Sequence, residues 1–221
     1  MRGRLIVIDG LDGSGKSTQS ERVAERLRAQ GVPVELISFP DYGEPSSALV
    51  KMYLGGEFSD SPDGVNAYAA STFYAVDRYA SFKKFWEKKY LSGYTILATR
   101  YVSSNAIHQM GKLPSSQWDE YLNWLDDFEF GKLCLPKPDQ VIFLNMSRKV
   151  ADRLIEGRYG GDENRKDIHE KDKAYLQSCQ STAEYVARVQ EWQVISCDDG
   201  ENPLPLDTVT QRILEQIQNK A

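Results

Sequence analysis

The stretch that most constrains this chain is an unbroken apolar run, Leu5-Ile6-Val7-Ile8, which passes through Asp9 into Gly10-Leu11-Asp12-Gly13-Ser14-Gly15-Lys16-Ser17-Thr18. The spacing satisfies GxxxxGK[ST], and it lies between a strand pattern and a helix pattern, the context in which these residues hold phosphate. Glycine has no Cβ, so successive backbone N–H groups can turn inward around an anion, and the following helix points its positive end at the same place. A strand without polar alternation is covered on both faces. In a strand–loop–helix unit that means a parallel sheet between helical layers.

The rest of the chain keeps the same alternation. Short β-branched runs place further strands at about 34–38, 94–98, 140–145 and 193–196, after the first at about 4–8. The expected fold is α/β, a three-layer P-loop NTPase fold with a five-stranded parallel sheet, helices on both faces and a short lid. Val23, Ala24 and Leu27 mark the buried face of the first helix, which Gly31 and Pro33 stop. An aromatic-rich helical pattern spans about 62–91, opened by Ser61-Pro62-Asp63, with Tyr68, Phe73, Val76, Phe82 and Phe85 assigned mostly to the core. Trp118, Tyr121, Leu122, Leu125 and Phe128 form a packing stripe, and Val209, Ile213, Leu214 and Ile217 form the apolar face of a last helix after Pro203 and Pro205. Between 148 and 175 the pattern changes to closely spaced Arg and Lys, with Gly157, Gly160 and Gly161 expected to interrupt any helix. With 221 residues, 41% of them hydrophobic, the chain reads as one domain, 1–221, with its lid at about 148–173.

Composition removes several functional classes. The longest aliphatic runs are far shorter than the ~20 residues of a membrane span, and no signal-length apolar segment precedes a small-residue cleavage site, so a cytoplasmic location is expected. Cys134, Cys179 and Cys197 are odd in number and widely spaced, as expected of reduced thiols rather than a disulfide frame or a metal cluster. A net charge of −5 argues against broad nucleic-acid binding, which needs a surplus of cations, but leaves small phosphates open.

Within the loop, Lys16 is placed to reach the β- and γ-phosphates of a nucleotide, the Ser17 hydroxyl to take one position on Mg²⁺, and Thr18 to meet the α-phosphate. This does not separate kinases, GTPases, motors and sensors. Guanine-reading GTPases need Asn/Thr-Lys-x-Asp, and the nearest string, Asn164-Arg165-Lys166-Asp167, has its Lys out of register. Motor ATPases end an apolar strand in acidic residues, whereas Val141–Leu144 runs into Asn145-Met146. A short P-loop chain with a late basic loop matches the layout of a nucleoside monophosphate kinase.

Four landmarks in order then resemble the thymidylate kinase family over essentially the whole chain. Asp12-Gly13-Ser14-Gly15-Lys16-Ser17 is similar to the family's DGxGK[ST], whose Asp lies near the acceptor's 3′-hydroxyl and the metal. Phe39-Pro40 with Tyr42 resembles the wall of the acceptor pocket. Tyr74-Ala75-Val76-Asp77-Arg78 resembles the helix on which an aromatic ring stacks on thymine and an Arg reads the base edge. Arg100-Tyr101 followed by Ser103-Ser104-Asn105 resembles DRYxxSN, with the Arg on the acceptor phosphate and Asn105 near the base. His108 falls close to the expected deoxyribose position, where it can exclude ribonucleotides.

The resemblance implies Mg²⁺-dependent transfer of the ATP γ-phosphate to dTMP. ATP is held by residues Gly10 to Thr18 and the metal by Ser17 and Asp12. The dTMP site comprises Asp12, Phe39, Tyr42, Tyr74, Arg78, Arg100, Asn105 and His108, and the catalytic cations are Lys16, Arg100, Arg153 and Arg158. It also implies a homodimer, and a lid that supplies charge from Arg153, Arg158 and Arg165, since Gly13 stands where some members carry a P-loop Arg. Two departures stand out: Thr99 replaces the Asp of DRY, leaving Asp9 or Asp12 to supply the carboxylate, and Asp41 occupies a position where many members place a phosphate-binding Arg. These departures leave two alternatives open, a kinase of another pyrimidine monophosphate or a nucleotide sensor without efficient transfer.

Overall fold

A computed structural model describes residues 2–159 and 168–218, without the side chains of Arg158, Tyr159, Glu170, Lys171 and Lys173. Five strands, β1 (Leu5–Asp9), β2 (Val34–Ser38), β3 (Thr95–Thr99), β4 (Gln140–Asn145) and β5 (Gln193–Ser196), form one sheet in the order β2-β3-β1-β4-β5. Every pairing is parallel. All five residues of β1 are buried, as expected for a central strand with helices on both faces. The first and third strands each run one residue later than the sequence pattern placed them. The ladders continue to Asp9 opposite Phe143 and Ile8 opposite Thr99, so main-chain pairing carries both strands past their last aliphatic residue.

In chain order the helices are α1 (Lys16–Ala29), α2 (Ala48–Leu54), α3 (Ala67–Ser81), α4 (Glu87–Leu91), α5 (Val102–His108), α6 (Trp118–Asp126), α7 (Arg148–Tyr159), α8 (Ile168–Lys171), α9 (Lys173–Val189) and α10 (Leu206–Gln218). Val23, Ala24 and Leu27 of α1 and Val209, Ile213, Leu214 and Ile217 of α10 pack on Ile6, Ile8, Ile142 and Leu144 from one face of the sheet. Ile107 of α5, Tyr121 and Leu125 of α6, and Cys179 and Val186 of α9 pack with Leu5, Val7 and Phe143 on the other. Each such aliphatic side chain contributes roughly 1.5–3 kcal/mol by leaving water.

The long aromatic pattern is not one helix. Ser61 caps a short 3₁₀ turn, Pro62–Gly64, while α3 starts later, where the Asn66 side chain accepts the Ala69 N–H at 2.8 Å. A π-helical turn, Phe82–Trp86, then separates α3 from α4 and adds a residue to the turn, so the inward face shifts. Trp86 is buried as a result, whereas Val76 and Phe85, expected in the core, are exposed. Gly157 does not break α7, which continues to Tyr159; Gly160, Gly161 and Arg165 lie outside the described residues. The three cysteines are free thiols, Cys179 and Cys197 buried and Cys134 exposed.

Candidate active site

Beyond the carboxyl ends of β1, β2 and β3 lies a cleft of about 440 Å³, the place where parallel sheets of this type bind ligands. Its walls come from the ends of these strands and the segments that follow them: Asp12, Gly13 and Gly15 to Thr18 after β1, Ser38, Phe39, Pro40 and Tyr42 at the end of β2, and Thr99, Arg100, Tyr101, Ser104 and Asn105 at the end of β3. Tyr74 and Arg78 of α3 close one side, and His108 and His169 close another.

The loop after β1 has the conformation its glycines predicted. Gly13 and Gly15 adopt φ of 84° and 79°, in the left-handed region that L side chains avoid. A Cβ on Gly13 would lie 2.9 Å from the backbone carbonyl of Ala151, so α7 packs directly against this turn; a Cβ on Gly15 would meet nothing within 4 Å. The Ser14 hydroxyl is buried without a partner among the described residues. The open space and the orphaned hydroxyl both suit an anion seated in the turn.

Two cations of the cleft share one carboxylate. Lys16 Nζ donates to Asp12 Oδ1 at 3.0 Å and to the Leu11 carbonyl at 3.3 Å, and Arg100 Nη2 donates to the same Oδ1 at 2.5 Å. Burial pushes the Asp12 pKa up, but Lys16 and Arg100 outweigh it and hold the carboxyl well below its usual range. Burial and the nearby Arg100 lower the Lys16 pKa. Arg100 itself has φ of 65°, rare for a side chain of its size, and its N–H is fixed to the Ile8 carbonyl at 3.1 Å. Arg100 Nη1 also donates to His108 Nε2 at 3.1 Å. Arginine cannot accept, so in this contact His108 is the neutral tautomer protonated at Nδ1, in keeping with a pKa well below 6.5 caused by burial and by Arg100.

The two Asp residues beside the loop have different duties. Asp9 Oδ1 accepts the Gly10 N–H at 2.8 Å, and Oδ2 accepts the Ser103 and Ser104 hydroxyls at 2.6 and 2.8 Å. Its oxygens are engaged in clasping the end of β1 to α5. Asp12 keeps Oδ2 without a hydrogen bond among the described residues, and Ser17 is exposed in the lining of the same cleft. The described residues hold no cluster of three metal-ligating side chains. One carboxylate and one hydroxyl suit Mg²⁺, which keeps several waters and takes its other ligands from substrate phosphates. Thr99, buried, forms part of the cleft wall without adding a charge.

On the opposite side, Phe39, Tyr42, Tyr74, Arg78 and Asn105 all line the cleft. Phe39 is buried against Tyr101, with ring centroids 6.0 Å apart, whereas Tyr42 is 54% exposed at the rim. Arg78 is enclosed and paired to Glu129, so most of its fork is already engaged. Asp41 is not a wall residue: its N–H donates to Asp77 Oδ2 at 2.8 Å, and burial with neighbouring Asp77 and Glu44 raises its carboxyl pKa. Asp41, the departure from a phosphate-binding Arg, therefore puts no carboxylate into the cleft wall. Arg153 is also turned elsewhere, donating to the Glu201 carbonyl, while Lys149 pairs with Glu201 at 2.7 Å. The Arg158 side chain lies outside the described residues.

Two cleft-side groups escaped the sequence reading. His169 has Tyr53 Oη 2.8 Å from Nε2 and stacks on His108 at 6.1 Å; burial pushes its pKa down to about 3. Its only sequence signal was being one of two histidines. Glu129 sits four residues after Leu125, so a charge on an otherwise apolar stripe was the available sign of a buried partner.

A phosphate-shaped turn with its lysine, an arginine fork beside it and a wall of aromatic and polar side chains in the same cleft define a P-loop phosphotransferase. Comparison with known families matches residues 8–205 to the family described as thymidylate kinase. A thymidylate kinase of Mycobacterium tuberculosis is 34% identical over 171 residues, covering 76% of this chain and 78% of that one. The thymidylate kinase of Homo sapiens is 31% identical over 159 residues, covering 72% of this chain and 68% of its own length. Among solved structures, a thymidylate kinase from Candida albicans superposes with a TM-score of 0.71 at 22% identity, over 99% of this chain and 92% of that one, a likeness of fold. The chain belongs to the thymidylate kinase family.

Proposed function

We infer that this chain transfers the γ-phosphoryl group of Mg²⁺-bound ATP to dTMP, giving dTDP and ADP. The observation that carries the reading is the position of Arg100, which touches the P-loop carboxylate Asp12 while lining the same cleft as Tyr74, Arg78 and Asn105. A phosphate held by Arg100 lies between the donor loop and the base pocket. Its second ionisation falls near pH 6, so it is mostly a dianion at neutral pH and needs no general base. The protein's contribution is then alignment and charge stabilisation. Lys16 faces the transferred group, Arg100 fixes the nucleophile, and Tyr74 offers a ring for the base. Mg²⁺, when bound, neutralises donor phosphate charge; Asp12 and Ser17 are the residues that hold it.

ADP formation measured with dTMP, dUMP, UMP, CMP and dGMP tests the reading. Preference for dTMP is expected, and preference for another acceptor would overturn it. A narrower test concerns the departure from DRY. Because Asp12 already supplies a carboxylate with a free oxygen, Thr99→Asp is expected to change kcat less than tenfold; a larger gain would show that the natural site lacks a needed charge.

The segment 148–173 acts in this reading as the lid over ATP, with Arg153 leaving Glu201 to reach the nucleotide and Arg158 and Arg165 as further candidates. Lid closure excludes water and strengthens each charge contact. The chain works in the cytoplasm, which its free thiols support. It works as a homodimer, supported by the exposed apolar groups Val76, Tyr79 and Phe85 along one helical stretch. Light scattering should give twice the chain mass, and a monomer at micromolar concentration would exclude the dimer.

A further inference from the structure

Glu129 takes no part in the phosphate chemistry, yet it is fully enclosed next to the base side of the cleft. It lies in a π-helical turn, Asp127–Lys132, that follows α6 and extends the buried stripe Tyr121-Leu122-Leu125. Such turns depart from the helical ladder at a cost and are frequent at functional sites. Glu129 Oε2 accepts Arg78 Nε at 2.9 Å, and Oε1 accepts Arg78 Nη2. Oε1 also accepts Asn105 Nδ2 at 3.3 Å. The remaining Nδ2 hydrogen goes to the Ser71 carbonyl at 3.3 Å, and the Ser71 hydroxyl meets Tyr121 Oη at 2.6 Å. One carboxylate therefore holds two cleft-lining side chains, itself remaining outside the cleft wall.

This arrangement fixes more than position. A two-pronged carboxylate sets the plane of the guanidinium and leaves Nη1, with one long 3.4 Å contact to the Tyr101 carbonyl, as the part of Arg78 able to serve a ligand. With both Asn105 Nδ2 hydrogens directed at Glu129 and Ser71, the amide presents Oδ1 as its remaining acceptor. The pair then offers one donor and one acceptor. A 4-oxo pyrimidine carries the matching edge, a carbonyl beside an N–H, whereas a 4-amino pyrimidine carries the reverse.

We propose that Glu129 is a positioning residue for the acceptor base, holding Arg78 and Asn105 in the donor–acceptor order that selects a 4-oxo over a 4-amino pyrimidine. The proposal rests on the acceptor reading given above. Glu129→Gln removes the charge and presents a donor amide to groups that already donate. Glu129→Asp keeps the charge but withdraws it by one methylene. With ATP saturating and dTMP or dCMP varied, both variants should raise the KM for dTMP about tenfold and lower the dTMP over dCMP ratio of kcat/KM by a similar factor. The KM for ATP should stay within twofold of the parent. A dTMP KM and a discrimination ratio within twofold of the parent, in a folded variant, overturn the proposal, as does a parallel rise in both substrates' KM values. If Glu129→Gln leaves Arg78 as an unpaired buried charge and fails to fold, Glu129→Asp decides; failure of that variant to fold makes Glu129 a folding residue and overturns the proposal too. If the parent uses another pyrimidine monophosphate instead of dTMP, the acceptor reading fails, and the same comparison on that nucleotide still decides Glu129. If it uses none, both fall.

Discussion

Lys16→Ala is expected to lower kcat for dTMP-dependent ADP formation about 10³-fold, the range seen when a fixed donor or cation facing transferred charge is removed. Lys16 is buried, and its ammonium lies within 3.3 Å of both the Leu11 carbonyl and Asp12. It therefore acts where water screens little and its charge keeps most of its effect. The loss should sit in kcat, because charge builds on the phosphoryl group during transfer beyond what the bound donor carries. Asp12 retains Arg100 as its partner, so the variant should fold and melt within a few degrees of the parent. A kcat within tenfold of the parent would mean that the transferred group does not face Lys16.

The second large effect belongs to Arg100. Among the described cleft residues the cationic side chains are Lys16, Arg78 and Arg100, and Glu129 already engages most of the Arg78 fork. In the proposed reading Lys16 serves the donor, which leaves Arg100 for the acceptor phosphate. Arg100→Met is expected to lower kcat/KM for dTMP about 10²-fold or more, with the KM for ATP little changed. Arg100→Lys should recover only a small part, since an ammonium lacks the planar fork that meets two phosphate oxygens and His108 together. Equal losses on both substrates would assign Arg100 to the P-loop instead of the acceptor. Steady-state kinetics with each substrate varied in turn separates the outcomes.

The fold was legible because its signals are local and repeated. Leu5–Ile8 and Val141–Leu144 could be placed as buried strands, and the first and last helices kept their apolar faces, since period and burial agree wherever one element packs on one sheet face. The aromatic stretch from 62 to 91 was harder. Helix α3 turns small and polar residues such as Ala70, Ser71, Ala75 and Arg78 inward, which leaves Val76 exposed, and Phe85 lies on the outer side of a π-helical turn that no proline or glycine announces. Glycine at 157 read as a break, but a single glycine costs a helix only about 1 kcal/mol, which packing of α7 on the phosphate turn can offset. At the site, the phosphate loop was readable because backbone geometry demands glycine at set intervals. Glu129 and His169 were not, since each acts through residues distant in sequence, and only the packed fold brings them to Arg78 and His108.

The clasp at Asp9 also bears on how the cations of the cleft are anchored. One side chain ties the first residue of the phosphate loop to two hydroxyls of α5, and Arg100 hangs its N–H on the neighbouring carbonyl of β1. The end of β1, the exit of β3 and the start of α5 are thus joined into one plate that carries Arg100. Lys16 and Arg100 also meet on the same Asp12 oxygen, so both cations are tied to one point beside that plate. The cations proposed for donor and acceptor are therefore anchored at the ends of neighbouring strands of the sheet.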